Sequence, residues 1–83
     1  MQLPAEIRTT GRGVRAVVRT TQEAVRFIDH ELAAELKSQS RWTFARELLL
    51  VAQRSEKKRD ATHAHRQFRQ ALSNDRLLEG ELN

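Results

Sequence analysis

The periodicity of the sequence changes near residue 20, and this change constrains the fold more than any other feature. Before it, apolar residues alternate with polar ones, as Leu3, Ala5 and Ile7 do, which is typical of a half-buried strand. After it, apolar residues recur every three or four positions, which is typical of amphipathic helices. Because two strands alone are not stable in water, we expect an α+β fold in which a three-helix unit packs on an N-terminal two-stranded β-hairpin.

The alternating segment predicts a hairpin over about residues 3–19, with Gly11 and Gly13 in the turn because glycine readily adopts positive φ. A strip of arginines follows the two strands: Arg8, Arg12, Arg15 and Arg19. Val17 breaks the alternation and places an apolar side chain on the charged face.

The helical segment predicts helices over about 21–37, 41–54 and 60–72, followed by a tail over 73–83, all within one domain, 1–83. Thr20 and Glu23 form a capping-box pattern at the first helix. Ser40 and Asp60 are the expected N-caps of the second and third helices. We expect Leu77 and Leu78 of the tail to return to the core.

The second helix is the expected central helix, because its apolar positions cover about half of its circumference at 100° per residue. These positions are Phe44, Ala45, Leu48, Leu49, Val51 and Ala52. Leu50 faces away from this stripe and Trp42 lies at its edge. A core of this size without disulfides is marginal, so Val17, Trp42 and Leu50 are candidate interface residues of a homodimer. The alternative is that the tail leucines cover them within one chain.

Two segments carry a resemblance to a known family. One covers residues 18–28, with the sequence VRTTQEAVRFI, and the other covers residues 64–71, with the sequence AHRQFRQA. In these segments the chain resembles a family of short alphaproteobacterial proteins, common in rhizobia and classified as a domain of unknown function. The resemblance extends over about residues 5–78 and implies an α+β fold. It implies no activity, cofactor or catalytic residue.

The charge points to an anionic partner. Fifteen Lys and Arg against eleven Asp and Glu give a formal net charge of +4. Basic residues cluster at the start of the third helix and on the side opposite its apolar stripe, and lysine and arginine bind nucleic acid by neutralising phosphates. The candidate nucleic-acid contacts are Lys57, Lys58, Arg59, His63 and Arg66.

No motif predicts catalysis or a cofactor. His63 and His65 are two residues apart, so on a helix they point about 200° apart and do not form a metal pair. Glu31 and Glu35 have the spacing of an acid and base pair, but no glycine loop or nucleophile motif accompanies them. The chain has no cysteine. We therefore expect no enzymatic activity, no metal and no cofactor.

The first residues do not resemble a signal peptide, and no stretch of the sequence approaches the ~20 apolar residues of a membrane span, so we expect a cytoplasmic protein with no membrane partner. Together these features predict a small, non-enzymatic protein-interaction module that binds a protein partner or a second copy of itself. Weak or nonspecific nucleic-acid binding through the basic segment from Lys57 to Arg66 is the alternative.

Overall fold

A two-stranded sheet comes first in the chain and helices follow it. A computed structural model describes residues 1–11 and 14–78, with the backbone alone at 11 and 14–16. The elements are β1 (Gln2–Gly11), β2 (Val14–Thr20), α1 (Thr21–Arg26), a π-helical turn (Phe27–Glu31), α2 (Ala34–Lys37), α3 (Ser40–Ser55) and α4 (Lys58–Asn74). The predicted α+β class, an N-terminal hairpin with helices packed on it, is confirmed.

The hairpin buries one face, but its alternation is interrupted. β1 and β2 pair antiparallel with Ile7 opposite Val18, and the register shifts between Gln2 and Ile7. Leu3, Ile7 and Val18 are buried. Ala5, which strict alternation places on the same face, is exposed. The extra residues of an irregular strand change the direction of the following side chains, so the prediction for Ala5 is wrong.

The first helix begins where the capping box predicts. The backbone N–H of Glu23 donates to Oγ1 of Thr20 at 3.0 Å, and the backbone N–H of Thr20 donates to Oε1 of Glu23 at 3.2 Å. These reciprocal bonds satisfy two donors that a helix start leaves free, and they connect the end of β2 directly to α1.

The predicted continuous helix over 21–37 is wrong, because the chain leaves the helix at Leu32. The backbone N–H of Leu32 donates to the carbonyl of Phe27 at 3.2 Å, which closes the π-helical turn, and Leu32 and Ala33 are then extended. The break turns the Leu32 side chain into the core, and Nζ of Lys37 donates to the freed carbonyl of Asp29 at 3.0 Å. Neither glycine nor proline marks the break in the sequence.

Only two residues separate α3 from α4. Glu56 takes the left-handed conformation, with φ 55°, and ends α3 abruptly. Lys57 is the N-cap residue of α4 in place of the predicted Asp60, which lies in the first turn and accepts from Oγ of Ser55 at 2.6 Å. The polar run that precedes residue 60 therefore belongs largely to helices. At the other helix, Ser40 is the first helical residue and Gln39 occupies the N-cap position.

Trp42 and Phe44 exchange the environments that the helical pattern predicts for them. Trp42 is fully buried, whereas Phe44 is 49% exposed. Two residues two apart on a helix point about 200° apart, so α3 cannot bury both rings. Trp42 takes the interior because its indole N–H has a partner there: Nε1 donates to Oδ2 of Asp75 at 2.6 Å.

The core is centred on Phe68 of α4. Its ring packs edge-to-face on Phe27, with centroids 6.0 Å apart, and on Trp42, with centroids 6.1 Å apart. Buried alanines line the contact between α3 and α4, among them Ala45 and Ala64. Small side chains at this contact let the two backbones approach closely. The larger rings, Trp42 and Phe68, pack together between the same two helices.

The segment after α4 returns to the hairpin. Leu78 is buried and forms an isolated antiparallel bridge with Thr9, and the backbone N–H of Thr10 donates to the carbonyl of Leu77 at 2.7 Å. The predicted return of the tail leucines to the core is confirmed for Leu78, and Leu77 is half-buried. Residues 79–83 of the predicted tail lie outside the described residues.

The carboxylate of Asp75 joins the end of α4 to the start of α3. It accepts from Nε and Nη2 of Arg41, at 3.0 and 2.6 Å, and from the indole of Trp42. The hydrogen bonds from Arg41 hold the pKa of Asp75 below its ordinary value, although burial opposes this shift. Because Ser55 and Asp60 meet near the connector and Arg41 and Asp75 meet at the far end, α3 and α4 run antiparallel along their whole length.

We expect Asp75→Asn to lower the free energy of unfolding by about 1 to 2 kcal/mol, since two donors lose a charged acceptor in a mostly buried site. Glu6→Gln is the control, because the Glu6 carboxylate pairs with arginines on the exposed face of the hairpin and its loss costs under about 0.5 kcal/mol. Urea denaturation measures both. Equal losses in the two variants would contradict the role given to Asp75.

Candidate functional site

The net charge of the protein resides on one helix. Residues 57–74, which comprise α4 and its N-cap, contain five of the fifteen basic residues and one of the eleven acidic residues. Their excess of four positive charges equals the formal net charge of the whole chain, so the remainder is neutral. The net charge is modest for the full length of the chain but is concentrated on α4 and its N-cap residue.

Burial of Phe68 turns these cations outward. The side chains of α4 that face the core are Ala61, Ala64, Phe68, Ala71 and Leu72. The predicted contacts Lys57, Lys58, Arg59, His63 and Arg66 are all exposed, and Arg69 joins them. We call these six residues the α4 basic face. The sequence does not predict Arg69 as a contact, because this residue lies at the border between the apolar stripe of α4 and the opposite face. The structure shows that Arg69 lies outside the part of α4 that packs on the core.

The cations of the α4 basic face have no carboxylate partner among the described residues, a property they share with Arg26, Arg54 and Arg76 but not with Arg41 and Arg46. Arg46 pairs with Asp29 at 2.9 Å, and Arg41 pairs with Asp75 at 2.6 Å. Among the residues that the structure describes, no carboxylate lies within ion-pair distance of Lys57, Lys58, Arg59, Arg66 or Arg69. No described carboxylate neutralises their charge, which is therefore available to an anionic partner.

The arginine strip predicted on the hairpin does not offer comparable free charge. Arg8 and Arg19 both contact Glu6, at 3.4 and 3.2 Å. Arg12 lies outside the described residues, as does the side chain of Arg15. In the described part of the hairpin, one carboxylate therefore serves two arginines.

A groove of three clefts runs along α4 beside the α4 basic face. The outer two, of about 430 and 240 Å³, lie between α4 and β1, and the middle one, of about 420 Å³, is lined by α4 among the described residues. Thr62 lines the first and the middle cleft, and Arg69 lines the middle and the smallest one. Lys58 and Arg66 line the two larger clefts, respectively, whereas the smallest also contains Arg8 and its partner Glu6. The cations of the two larger clefts therefore suit an extended anion.

The two histidines of α4 have different environments. The His63 ring is exposed and packs edge-to-face on Phe44, with centroids 6.4 Å apart. His65 is half-buried between α4 and β1, and its Nε2 is buried with no hydrogen-bond partner among the described residues. Burial lowers the pKa of His65 below its ordinary value, the positive charge of Arg69 lowers it further, and a hydrogen bond with the backbone of Ala5 opposes the shift.

The side chains considered for metal binding and for acid–base chemistry do not come together in the described residues. No group of three metal-ligating side chains occurs among them. Glu31 and Glu35, which would lie on one face of a continuous helix, are separated by the break at Leu32 and are both exposed. No helix in residues 1–11 and 14–78 is long and apolar enough to cross a membrane.

The three predicted interface residues do not form one surface. Trp42 is fully buried, so its assignment to an interface is wrong. Val17 is 38% exposed on the hairpin, and Leu50 is half-buried on α3.

Phe44 is exposed on α3, which the helical pattern does not predict, since Phe44 belongs to the apolar stripe. Half-buried Leu48 and Val51 lie four and seven positions after Phe44, on the same side of the helix.

Comparison with known proteins finds no matching family, curated protein or solved structure. The resemblance of residues 18–28 and 64–71 to the alphaproteobacterial family stays a prediction.

We expect the stability of the protein to fall as the pH drops from about 7.5 to about 5.5. The pKa of His65 is lower in the folded than in the unfolded protein, so unfolding takes up a proton in this range. The contribution of neutral His65 to the free energy of unfolding is complete above the unfolded pKa of 6.5. It is lost as the pH falls from there through the lower pKa that His65 has in the folded protein.

His65→Gln keeps a donor for the Ala5 backbone and removes the titration, so chemical denaturation should show a flatter pH dependence for this variant. His63→Gln is the matched control and should retain the wild-type dependence, because His63 is exposed. If His63→Gln flattens the curve as much as His65→Gln does, the assignment to His65 is wrong.

Proposed function

We propose that the protein is a small, non-enzymatic cytoplasmic module that binds nucleic acid through the α4 basic face. One observation carries the proposal: α4 and its N-cap residue carry an excess of positive charge equal to the net charge of the chain, and these cations are exposed and have no carboxylate partner among the described residues. When unpaired cations approach phosphates, condensed counterions are released from the nucleic acid, and this release drives binding. Arginines that already form ion pairs within the protein contribute much less.

The arrangement of α3 and α4 differs from a helix-turn-helix. In that motif the two helices cross at about 90–120°. Here α3 and α4 run antiparallel, since Ser55 and Asp60 meet at one end and Arg41 and Asp75 meet at the other. The exposed surface available to nucleic acid is therefore the face of one helix and the groove beside it. Such a surface predicts strongly salt-dependent binding of modest affinity.

Arg66→Gln tests the proposal against Arg26→Gln, which removes an exposed cation from α1. We expect Arg66→Gln to weaken binding of a labelled duplex roughly fivefold at about 50 mM salt and to reduce the salt dependence by about one phosphate contact. Arg26→Gln should leave both unchanged. Fluorescence anisotropy measures the affinity, and amide shifts from Lys57 to Gln70 locate the contact.

Two results would refute this function. One is the absence of binding by the wild-type protein at low salt. The other is an equal loss in both variants, which would mean that overall charge and not the α4 basic face attracts the duplex.

A protein-interaction module that includes self-association is the second candidate, and Phe44 favours it. This ring is 49% exposed, with half-buried Leu48 and Val51 on the same side of α3. Burial of such a strip against a second copy or another protein would remove apolar surface from water. The strip is narrow, and Val17 and Leu50 lie elsewhere, so this surface supports a smaller interface than the sequence predicts.

If Phe44 is the anchor of a dimer, the wild-type protein should show twice the monomer mass at tens of micromolar by light scattering, and Phe44→Ser should shift it to the monomer. Val17→Ser serves as a control on the other exposed apolar residue and should leave the mass unchanged. A wild-type monomer over the whole concentration range would refute self-association.

A further inference from the structure

We propose that the nucleic acid is double-stranded DNA and that α4 lies across its major groove; this inference rests on the proposed function. The exposed cations of α4 form two groups. The N-terminal group comprises Lys57, Lys58 and Arg59, and the C-terminal group comprises Arg66 and Arg69. No cation lies between them, over residues 60–65.

The separation of the two groups matches the width of the groove. Arg59 and Arg66 are seven positions apart, which corresponds to about 10 Å along an α-helix. The major groove of B-form DNA is about 12 Å wide and admits an α-helix. With α4 across the groove, long lysine and arginine side chains at its two ends reach the phosphates of the two strands that border it.

The residues between the two groups are neutral and can form hydrogen bonds. Thr62 and His63 are exposed there and would face the base edges, where hydroxyl and imidazole groups find donors and acceptors. Asp60 is the one acidic residue of α4. It is half-buried and accepts from Oγ of Ser55, on the side that faces α3. No carboxylate of α4 therefore opposes the DNA.

A neighbouring element extends the N-terminal cation group. Arg54, exposed in the last turn of α3, lies beside the start of α4. At the other end, Arg69 lines a 240 Å³ cleft with Arg8 and Glu6 of β1, which pair with each other, so β1 adds no free cation there.

Two alternatives fit these observations less well. Proteins bind single strands largely by stacking successive bases on aromatic rings, but Phe68 is fully buried and the exposed Phe44 and His63 rings already pack on each other. Double-stranded RNA has a deep, narrow major groove that side chains cannot read. An exposed helix with cations at both ends and neutral polar residues between them suits the wider groove of B-form DNA.

The first test compares ligands by fluorescence anisotropy at low salt. The probes are a DNA duplex of about 20 base pairs, the RNA duplex and the DNA single strand of the same sequence, and poly-glutamate as a competitor. We expect the DNA duplex to bind at least about tenfold more tightly than the other three. A duplex with glucosylated 5-hydroxymethylcytosine, whose sugars fill the major groove, should bind about tenfold more weakly, whereas distamycin in the minor groove should have little effect.

The second test compares the two cation groups. Lys57→Gln/Lys58→Gln/Arg59→Gln should reduce the slope of log affinity against log salt by about 3, and Arg66→Gln/Arg69→Gln should reduce it by about 2. Arg26→Gln is again the control and should leave the slope unchanged. Circular dichroism verifies that the variants, which change exposed residues alone, retain the fold.

The outcomes separate this inference from the proposed function. Equal affinity for DNA and RNA duplexes, no effect of glucosylation, or an unchanged slope in either group variant would overturn docking in the major groove, while salt-dependent nucleic-acid binding would still support the function. Poly-glutamate binding as tight as that of DNA would point to an acidic protein partner and overturn both. Absence of binding to every nucleic acid at low salt would also overturn both.

Discussion

The edge-to-face packing of Phe68 against Phe27 and Trp42 is the contact on which the rest of the structure depends. It joins the π-helical turn, α3 and α4 at one point, with all three rings buried. A helix whose largest apolar side chain is fixed in the core cannot rotate about its axis. The rotation of α4 in turn decides which of its residues meet solvent. The cationic surface of the protein is therefore a consequence of how an aromatic core is packed.

The charged residues divide into two groups with different physical roles. Arg41 and Arg46 form charge-assisted hydrogen bonds with Asp75 and Asp29, which connect elements far apart in the chain. The cations of α4 form no such bonds within the described residues. Arginine in this protein thus either stabilises the fold or remains available to a partner. Because of this division, the net positive charge of the chain is concentrated on α4. We therefore favour nucleic-acid binding over the apolar interface that the sequence suggested.

Much of the candidate site could be predicted from the sequence, because the helical period relates each residue of α4 to Phe68. Arg59, His63 and Arg66 lie roughly opposite that ring at 100° per residue, and the structure exposes all three. The sequence did not predict Arg69 as a contact, because it lies at the border of the apolar stripe of α4. The candidate interface was less predictable. A helical pattern shows that Trp42 and Phe44 point in opposite directions, but not which of them faces the neighbouring helices.

The sequence by itself determined the local structure: the alternation that pairs β1 with β2, the capping box at Thr20 and the apolar faces of α3 and α4. Each of these depends on interactions between residues close in the chain. Only the tertiary structure decided where the first helix breaks, at Leu32, which ring of α3 is buried, and which cations stay unpaired. The break depends on the burial of Leu32 in the core, and the other two outcomes depend on partners 17 to 34 positions away, such as Asp29 for Arg46 and Asp75 for Arg41. Local periodicity carries no information about such partners.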